Sequence, residues 1–247
     1  MTVRGAADVA FLLYGGYDVL GDVTQIADSH EALIEETHAL GDAWRKQAFV
    51  GVAQSEITQD GFYNDAVNGV HERLSTGPGV AQVLCYGAAG TATGAEFVGY
   101  SGMQVNYKRM VSRGALHKAQ ATYRGSGKVD TGKILWTHKA LTATSATNSG
   151  SIDNTVSSTR GGAGYFQLSN FAGAVNATAV LARVQHSSDN ITFADLISFT
   201  AATAAPAAQR SELGSTVVVE RYVRMATSYQ GGAAPASAAM FVGFARY

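Results

Sequence analysis

Hydrophobic and polar residues alternate with a period of two along much of this chain. In MQVNYKRMV and LHKAQATYRGSGKVDTGKILW, Met103, Val105 and Tyr107 and then Leu116, Ala119 and Ala121 fall mostly on alternating faces, which predicts strands with a polar side. Upstream, Val9 to Tyr14 and Val19 to Ile26 read as strands joined by Gly15 and Gly16, whose backbone freedom permits a tight reversal. SEITQDGFYND, 55 to 65, alternates around Ile57, and Val80 to Tyr86 reads as a buried strand. Between them DAVNGVHERL predicts one short helix that stops before Gly77 and Pro78. SHEALIEETHALGDAWRKQAF, 29 to 49, fits two patterns. Ser29 and the acids after it resemble a helix start, with Leu33, Ile34 and Leu40 at helical spacing, but the stretch fits an extended, charged arm equally well.

The pattern changes at LTATSATNSGSIDNTVSSTRGG, 141 to 162, where large apolar residues nearly vanish. Such a composition predicts a linker or exposed connection and places a domain boundary between residues 148 and 149. Beyond it YFQLSNF, AVLARVQHS, TFADLISFT, TVVVERYVRMAT and AMFVGFARY are strand candidates separated by turn signals, enough for a small C-terminal β-sandwich over 149–247.

Composition agrees with a mainly β reading. The 247 residues hold 28 Gly and 3 Pro, suited to short strands and many small-residue turns. Charged residues make up 15% and the formal net charge is −1, so no basic footprint for nucleic acid and no acidic excess typical of disorder is present. Cys85 is the only cysteine, which excludes an intrachain disulfide. The apolar patch around Val9 to Leu13 is too short for a signal peptide or a spanning helix, so a protein made in the cytosol is expected and no membrane partner. Without a secretion signal, the sequons at Asn176 and Asn190 read as chance.

Several stretches look chemical, and each has a plainer explanation. His186, Ser187, Ser188 and Asp189 are the residue types of a hydrolase triad, but triad members come from separate parts of a fold, and Ser-Ser-Asp-Asn between two strands is turn chemistry. GKVDTGKI, 127 to 134, places Gly127, Gly132 and Lys133 at phosphate-loop offsets. Its eighth position is Ile134 where Ser or Thr is required, and a strand follows where a helix is needed. In HEALIEETH, His30 and His38 lie eight residues apart, not the four of a zinc-protease helix. Tyr165, Phe166, Phe193, Tyr222, Tyr229 and Phe241 could line a sugar-binding face, but most sit at core-facing strand positions. No enzyme, metal or cofactor is expected.

The order of features carries one resemblance. EETHALGDAWRKQAFVGVAQSEITQDGFYND, the Gly125 to Leu135 strand pair, QHSSDNITFADLISFTAATAAPAAQRSEL, ERYVR and the closing FVGFARY together resemble the major tail tube proteins of long-tailed bacteriophages. The resemblance implies a tail-tube-type β-sandwich or barrel over 1–148. It also implies self-assembly into rings, commonly six-fold, stacked into a tube in the virion tail after synthesis in the bacterial host. Whether a ring is a hexamer or a trimer of two-domain chains stays open. The implied partners are further copies of the chain, tape-measure and tail-terminator proteins, and phage DNA that passes through the lumen without sequence-specific binding. Glu31, Glu35, Glu36, Arg45, Lys46 and Gly51, with Arg4, become candidate inter-ring or lumen residues. The alternative is a β-sandwich decoration or carbohydrate-binding module on a virion surface.

Overall fold

Period-two alternation carries through into the structure. This computed structural model describes residues 11–20, 23–31, 34–36, 44, 47–49, 54–65, 70–75, 77–87, 90–141, 147–172, 178–231 and 237–247, which are mainly antiparallel β with one short helix. In chain order come β1 (Phe11–Tyr14), β2 (Tyr17–Asp18), β3 (Val23–Glu31), β4 (Ile34–Glu36), β5 (Gln47–Phe49) and β6 (Gln54–Phe62), then helix α1 (Val70–Ser75). The middle of the chain forms β7 (Ala81–Gly87), β8 (Glu96–Met110), β9 (Lys118–Gly125), β10 (Asp130–Leu141), β11 (Thr147–Asn148) and β12 (Ile152–Asp153). The last third forms β13 (Gly162–Ala172), β14 (Ala179–Ser187), β15 (Ala194–Ser198), β16 (Ala207–Glu212), β17 (Tyr222–Gln230) and β18 (Ser237–Arg246).

Two compact units divide these elements, one within residues 1–21, 82–101 and 128–247, the other within 22–81 and 102–127. In the first, hydrogen-bonded neighbours run β16, β13, β18, β10, β8, β7, β1, β2. The Gly15–Gly16 turn, with φ of 59° and 88°, brings β2 back to the far side of this sheet. There the Gly16 N–H donates to Oε1 of the buried Gln167 at 2.8 Å, and Gln167 Nε2 donates to the Leu13 and Val83 carbonyls at 3.3 Å each. A Cβ on Gly16 would stand 2.6 Å from the Ala207 backbone nitrogen, so only glycine fits this closure. The sheet thereby rolls around Phe11, Leu13, Cys85, Phe97, Tyr165 and Phe241. Phe97 meets Phe241 edge-on, centroids 5.3 Å apart, and burial pushes the Cys85 thiol up to about 12.

Alternation in β13 and β18 sends Phe166, Leu168, Met240, Val242 and Phe244 to the opposite face. There they pack against Val180, Ala182, Val184, Ile197, Val223 and Met225 of a second sheet, ordered β11, β17, β14, β15 with β12 also on β17. Burying each such side chain contributes roughly 1.5–3 kcal/mol. This is the expected sandwich, but one of its layers is shared with strands from before residue 148.

The expected boundary between 148 and 149 therefore does not coincide with the division of the structure. β10 pairs with β18 from Lys133↔Phe244 to Leu141↔Ala238, and Leu135 lies in the same core as Phe166. The expected linker over 141–162 contributes β11 and β12 to the second sheet. The Gly125 to Leu135 strand pair also differs, because β9 and β10 do not pair with each other. β8 pairs with β10 through Glu96 to Gly99 and with β9 through Gly102 to Met110. Gly132, read as part of a phosphate loop, sits inside β10, where a Cβ would lie 2.5 Å from the Phe244 carbonyl oxygen.

The second unit holds the sheet β3, β6, β9 and the later half of β8, with α1 and the β4–β5 pair. Ser55, Ile57 and Gln59 on β6 and Ala119, Ala121 and Tyr123 on β9 are buried. On β8 the buried Gln104 donates from Nε2 to the Leu74 carbonyl at the end of α1, 2.6 Å away, and a bulge follows between Gln104 and Asn106.

Candidate functional site

Strand register sets the opposite face of the second unit. Directly opposed residues of an antiparallel pair project to the same side of the sheet. Glu56 stands opposite Arg124, Thr58 opposite Thr122 and Asp60 opposite Gln120. Each pair is joined: Arg124 Nε to Glu56 Oε2 at 3.0 Å, the threonine hydroxyls at 3.4 Å, and Gln120 Nε2 to Asp60 Oδ1 at 2.7 Å. The same face continues onto β3 with Gln25, Ala27, Ser29 and Glu31 opposite β6, and onto β8 with Asn106 and Lys108 opposite β9. The result is a broad sheet face built from amides, hydroxyls and paired charges. On the other side of β3, His30 Nε2 lies 3.3 Å from Asp28 Oδ1.

Among the described residues β3 pairs with β6 alone, and residues 27 to 31 are exposed on both faces. Glu31 ends this strand. Within the ambiguous segment after it, residues 34–36 and 47–49 are extended, with Ile34↔Phe49, Glu35↔Ala48 and Glu36↔Gln47 in register between β4 and β5. Between these strands Trp44 leaves 84% of its surface exposed. Arg4, Arg45, Lys46, Gly51 and His38 lie outside the described residues. Sequence reading missed Trp44, although a tryptophan inside a run of charges was the available signal.

The triad-like stretch is a turn. Asp189 Oδ1 accepts from the Ile191 and Thr192 N–H groups, both at 2.9 Å, and from the Ser187 hydroxyl at 2.8 Å, while Asn190 takes φ 61°. These backbone donors hold the Asp189 carboxyl at about 2, well below the usual range. His186 accepts at Nδ1 from the Glu220 N–H at 3.2 Å. Two of the proposed sugar-face aromatics do lie on the outer side of the second sheet, each stacked under a guanidinium: Arg224 is 3.7 Å above Phe193 and Arg221 is 4.9 Å from Tyr222. Tyr165, Phe166 and Phe241 are in the core.

The most connected polar cluster lies in the first unit. Asp130, fully buried, accepts from Tyr165 and from Arg210 Nη2 at 2.8 Å through Oδ2, and from the Tyr247 hydroxyl at 2.8 Å through Oδ1. Burial, and then the hydrogen bond to Asp130, push the Tyr165 hydroxyl far above its usual range. Burial works against the Arg210 guanidinium, but its bonds to Asp130 and Tyr165 outweigh that and hold it protonated. Lys128 caps the Tyr247 ring at 3.1 Å. The cluster locks β10, β13 and β16 together and leaves no reactive group unpartnered. Among the described residues no group of three or more His, Cys, Asp or Glu side chains is placed to hold a metal.

This architecture is a mainly antiparallel β fold with a polar sheet face and a closed apolar core. Among solved structures, it is similar to chains of gene transfer agent particles and to a phage protein. A chain in the tail of an empty gene transfer agent particle, solved with C6 symmetry, aligns at TM-score 0.36 and 15% identity over 44% of this chain and 80% of that one. A chain of the native gene transfer agent virion aligns at 0.42 and 15% over 52% and 98%. The Dit protein of phage SPP1, described as a hub of the adsorption apparatus in phages that infect Gram-positive bacteria, aligns at 0.38 and 10% over 96% and 98%. No family model matches the chain, and no curated protein matches it.

Proposed function

We propose that the chain is a structural subunit of a phage-type tail that assembles into stacked rings and lines the conduit for DNA. The observation that carries this reading is the polar face of β3, β6, β9 and β8 beside an edge of β3 that has no ladder partner among the described residues. A nine-residue strand with one ladder partner among the described residues would template uncontrolled pairing in a lone subunit, and a neighbouring copy in a ring removes that liability. A lumen wall must hold water without gripping a polyanion. The paired charges Glu56 with Arg124 and the near-neutral chain suit that task, since strong phosphate binding needs uncompensated Lys and Arg. Glu31, Glu35, Glu36, Arg45, Lys46 and Gly51 belong to the arm that this reading assigns to contacts between rings. Tape-measure and tail-terminator proteins are the further partners it requires, with no catalytic step.

A second reading, a surface module that binds carbohydrate, is favoured by the stacked Phe193 and Arg224 on the outer sheet face. Negative-stain electron microscopy of concentrated protein separates the two. Rings or tubes support the tail subunit, whereas a persistent monomer that binds glycans supports the surface module.

A further inference from the structure

A cleft of about 210 Å³ opens between the two sheets of the first unit. Its floor is apolar core, namely Leu135, Val223 and Phe244 with Ile152 beside them. Its rim is charged. Lys133, the lysine of the phosphate-loop-like motif, lines it together with Arg246 and the Asn154 amide, and Glu96 is the one acid there, opposite Lys133 in register. Among the described residues neither Lys133 nor Arg246 makes an ion pair. Arg246 is half-buried, and burial holds its guanidinium below the usual value with no carboxylate to offset the loss of water. Arg210 and Arg221, in contrast, each have an acid within 3 Å.

An uncompensated guanidinium at the rim of a cleft floored by core side chains defines a ligand with an anionic head and an apolar body. The volume is below the ~300–1,000 Å³ of drug-sized sites, which limits the body to one ring or a short branched chain. We propose that this cleft binds a small amphiphilic carboxylate, its head on Arg246 and Lys133 and its body against Leu135, Val223 and Phe244. A planar carboxylate matches the guanidinium fork, which favours it over other anions of this size.

The test titrates the full chain with phenylacetate and with its neutral isostere phenylacetamide, followed by saturation-transfer and amide-shift NMR. Phenylacetate is expected to bind in the millimolar range or tighter and to shift Leu135, Val223 and Phe244, with the amide about ten-fold weaker or more. Arg246→Gln should lose about ten-fold for the acid and little for the amide. Thr131→Phe, an exposed residue at the mouth, should block both. If Arg246→Gln unfolds the chain, Lys133→Gln, at an exposed position, gives the same comparison. Equal affinity for acid and amide, no binding at millimolar concentration, or shifts remote from the cleft would each overturn the proposal.

Discussion

Arg210 on β16 and Asp130 on β10 meet at 2.8 Å although 80 positions separate them, and the Asp130 side chain has no exposure at all. The pair holds three strands of the first unit in register through Tyr165, which also lies 2.9 Å from the Gly99 carbonyl oxygen.

Removing one partner of such a pair leaves the other buried and unpaired. Asp130→Ala should therefore cost about 3–5 kcal/mol, read from the midpoint of urea unfolding. The double substitution Asp130→Leu with Arg210→Met should recover most of that loss, because a buried ion pair contributes little over well-packed apolar groups. A single-variant loss below 1 kcal/mol would show that the cluster is not a stabilising element.

The turn at 187–192 gives a pH dependence with a definite sign. Backbone N–H groups of Ile191 and Thr192 lower the Asp189 carboxyl from 3.8 to about 2, and Arg221 followed by the Thr155 N–H does the same for Asp153. Both groups have folded values below their unfolded ones. Their stabilising contribution is complete above the unfolded value and is lost as pH falls from near 4 through about 2. The Ile191 and Thr192 amide resonances should move across that window and remain constant from pH 5 to 8. In Asp189→Asn the same amides should show no acid transition, and a transition that persists would assign it elsewhere.

What was legible in the sequence was local. The 187–192 turn, helix α1 and most strands follow from neighbouring residues, since turn chemistry and alternation act within a few positions. β16 was missed because AAQRSE has no large apolar residue, so its edge position and the Arg210 contact are invisible to periodicity. The compact units divide the chain elsewhere than at residue 148 for a related reason. A polar run such as 141–162 reads as a linker, yet β11 and β12 within it are edge strands whose partner β17 lies about 70 to 80 residues on, and composition carries no record of long-range pairing. The same limit hid the Asp130 cluster, whose only local sign is a lone acid opening the apolar strand that continues with Ile134 and Leu135.

The shared layer of the sandwich yields its own prediction. A chain ending at Asn148 keeps β10 but loses β18, its ladder partner along Lys133 to Leu141, and the whole second layer of the core around Phe166. Open apolar faces and unpaired edges lead to collapse or aggregation and not to an independent domain. The truncated chain should show poor amide dispersion and no cooperative thermal transition. A well-dispersed spectrum with a sharp melt would restore the boundary near 148.

Under the proposed function, the arm between β3 and β6 carries contacts between subunits. Trp44 leaves 84% of its surface in water, a large apolar cost for a side chain with no role in the subunit, and exposed tryptophans are the residues that most often anchor an interface. Because it is so exposed, Trp44→Ala should leave the unfolding free energy of the subunit within about 0.5 kcal/mol of the parent. Its effect should fall on association, where loss of an interface anchor costs about 2 kcal/mol or more, some thirty-fold in the critical concentration for polymerisation. Tube mass measured by sedimentation against protein concentration gives that shift directly. Hydrogen exchange in β3 and β4 should be fast in the subunit and slow in the tube, since among the described residues each strand has a single ladder partner and the tube supplies a second. Unchanged polymerisation by the Trp44→Ala chain, with exchange equally slow in both states, would place the assembly contacts outside the arm.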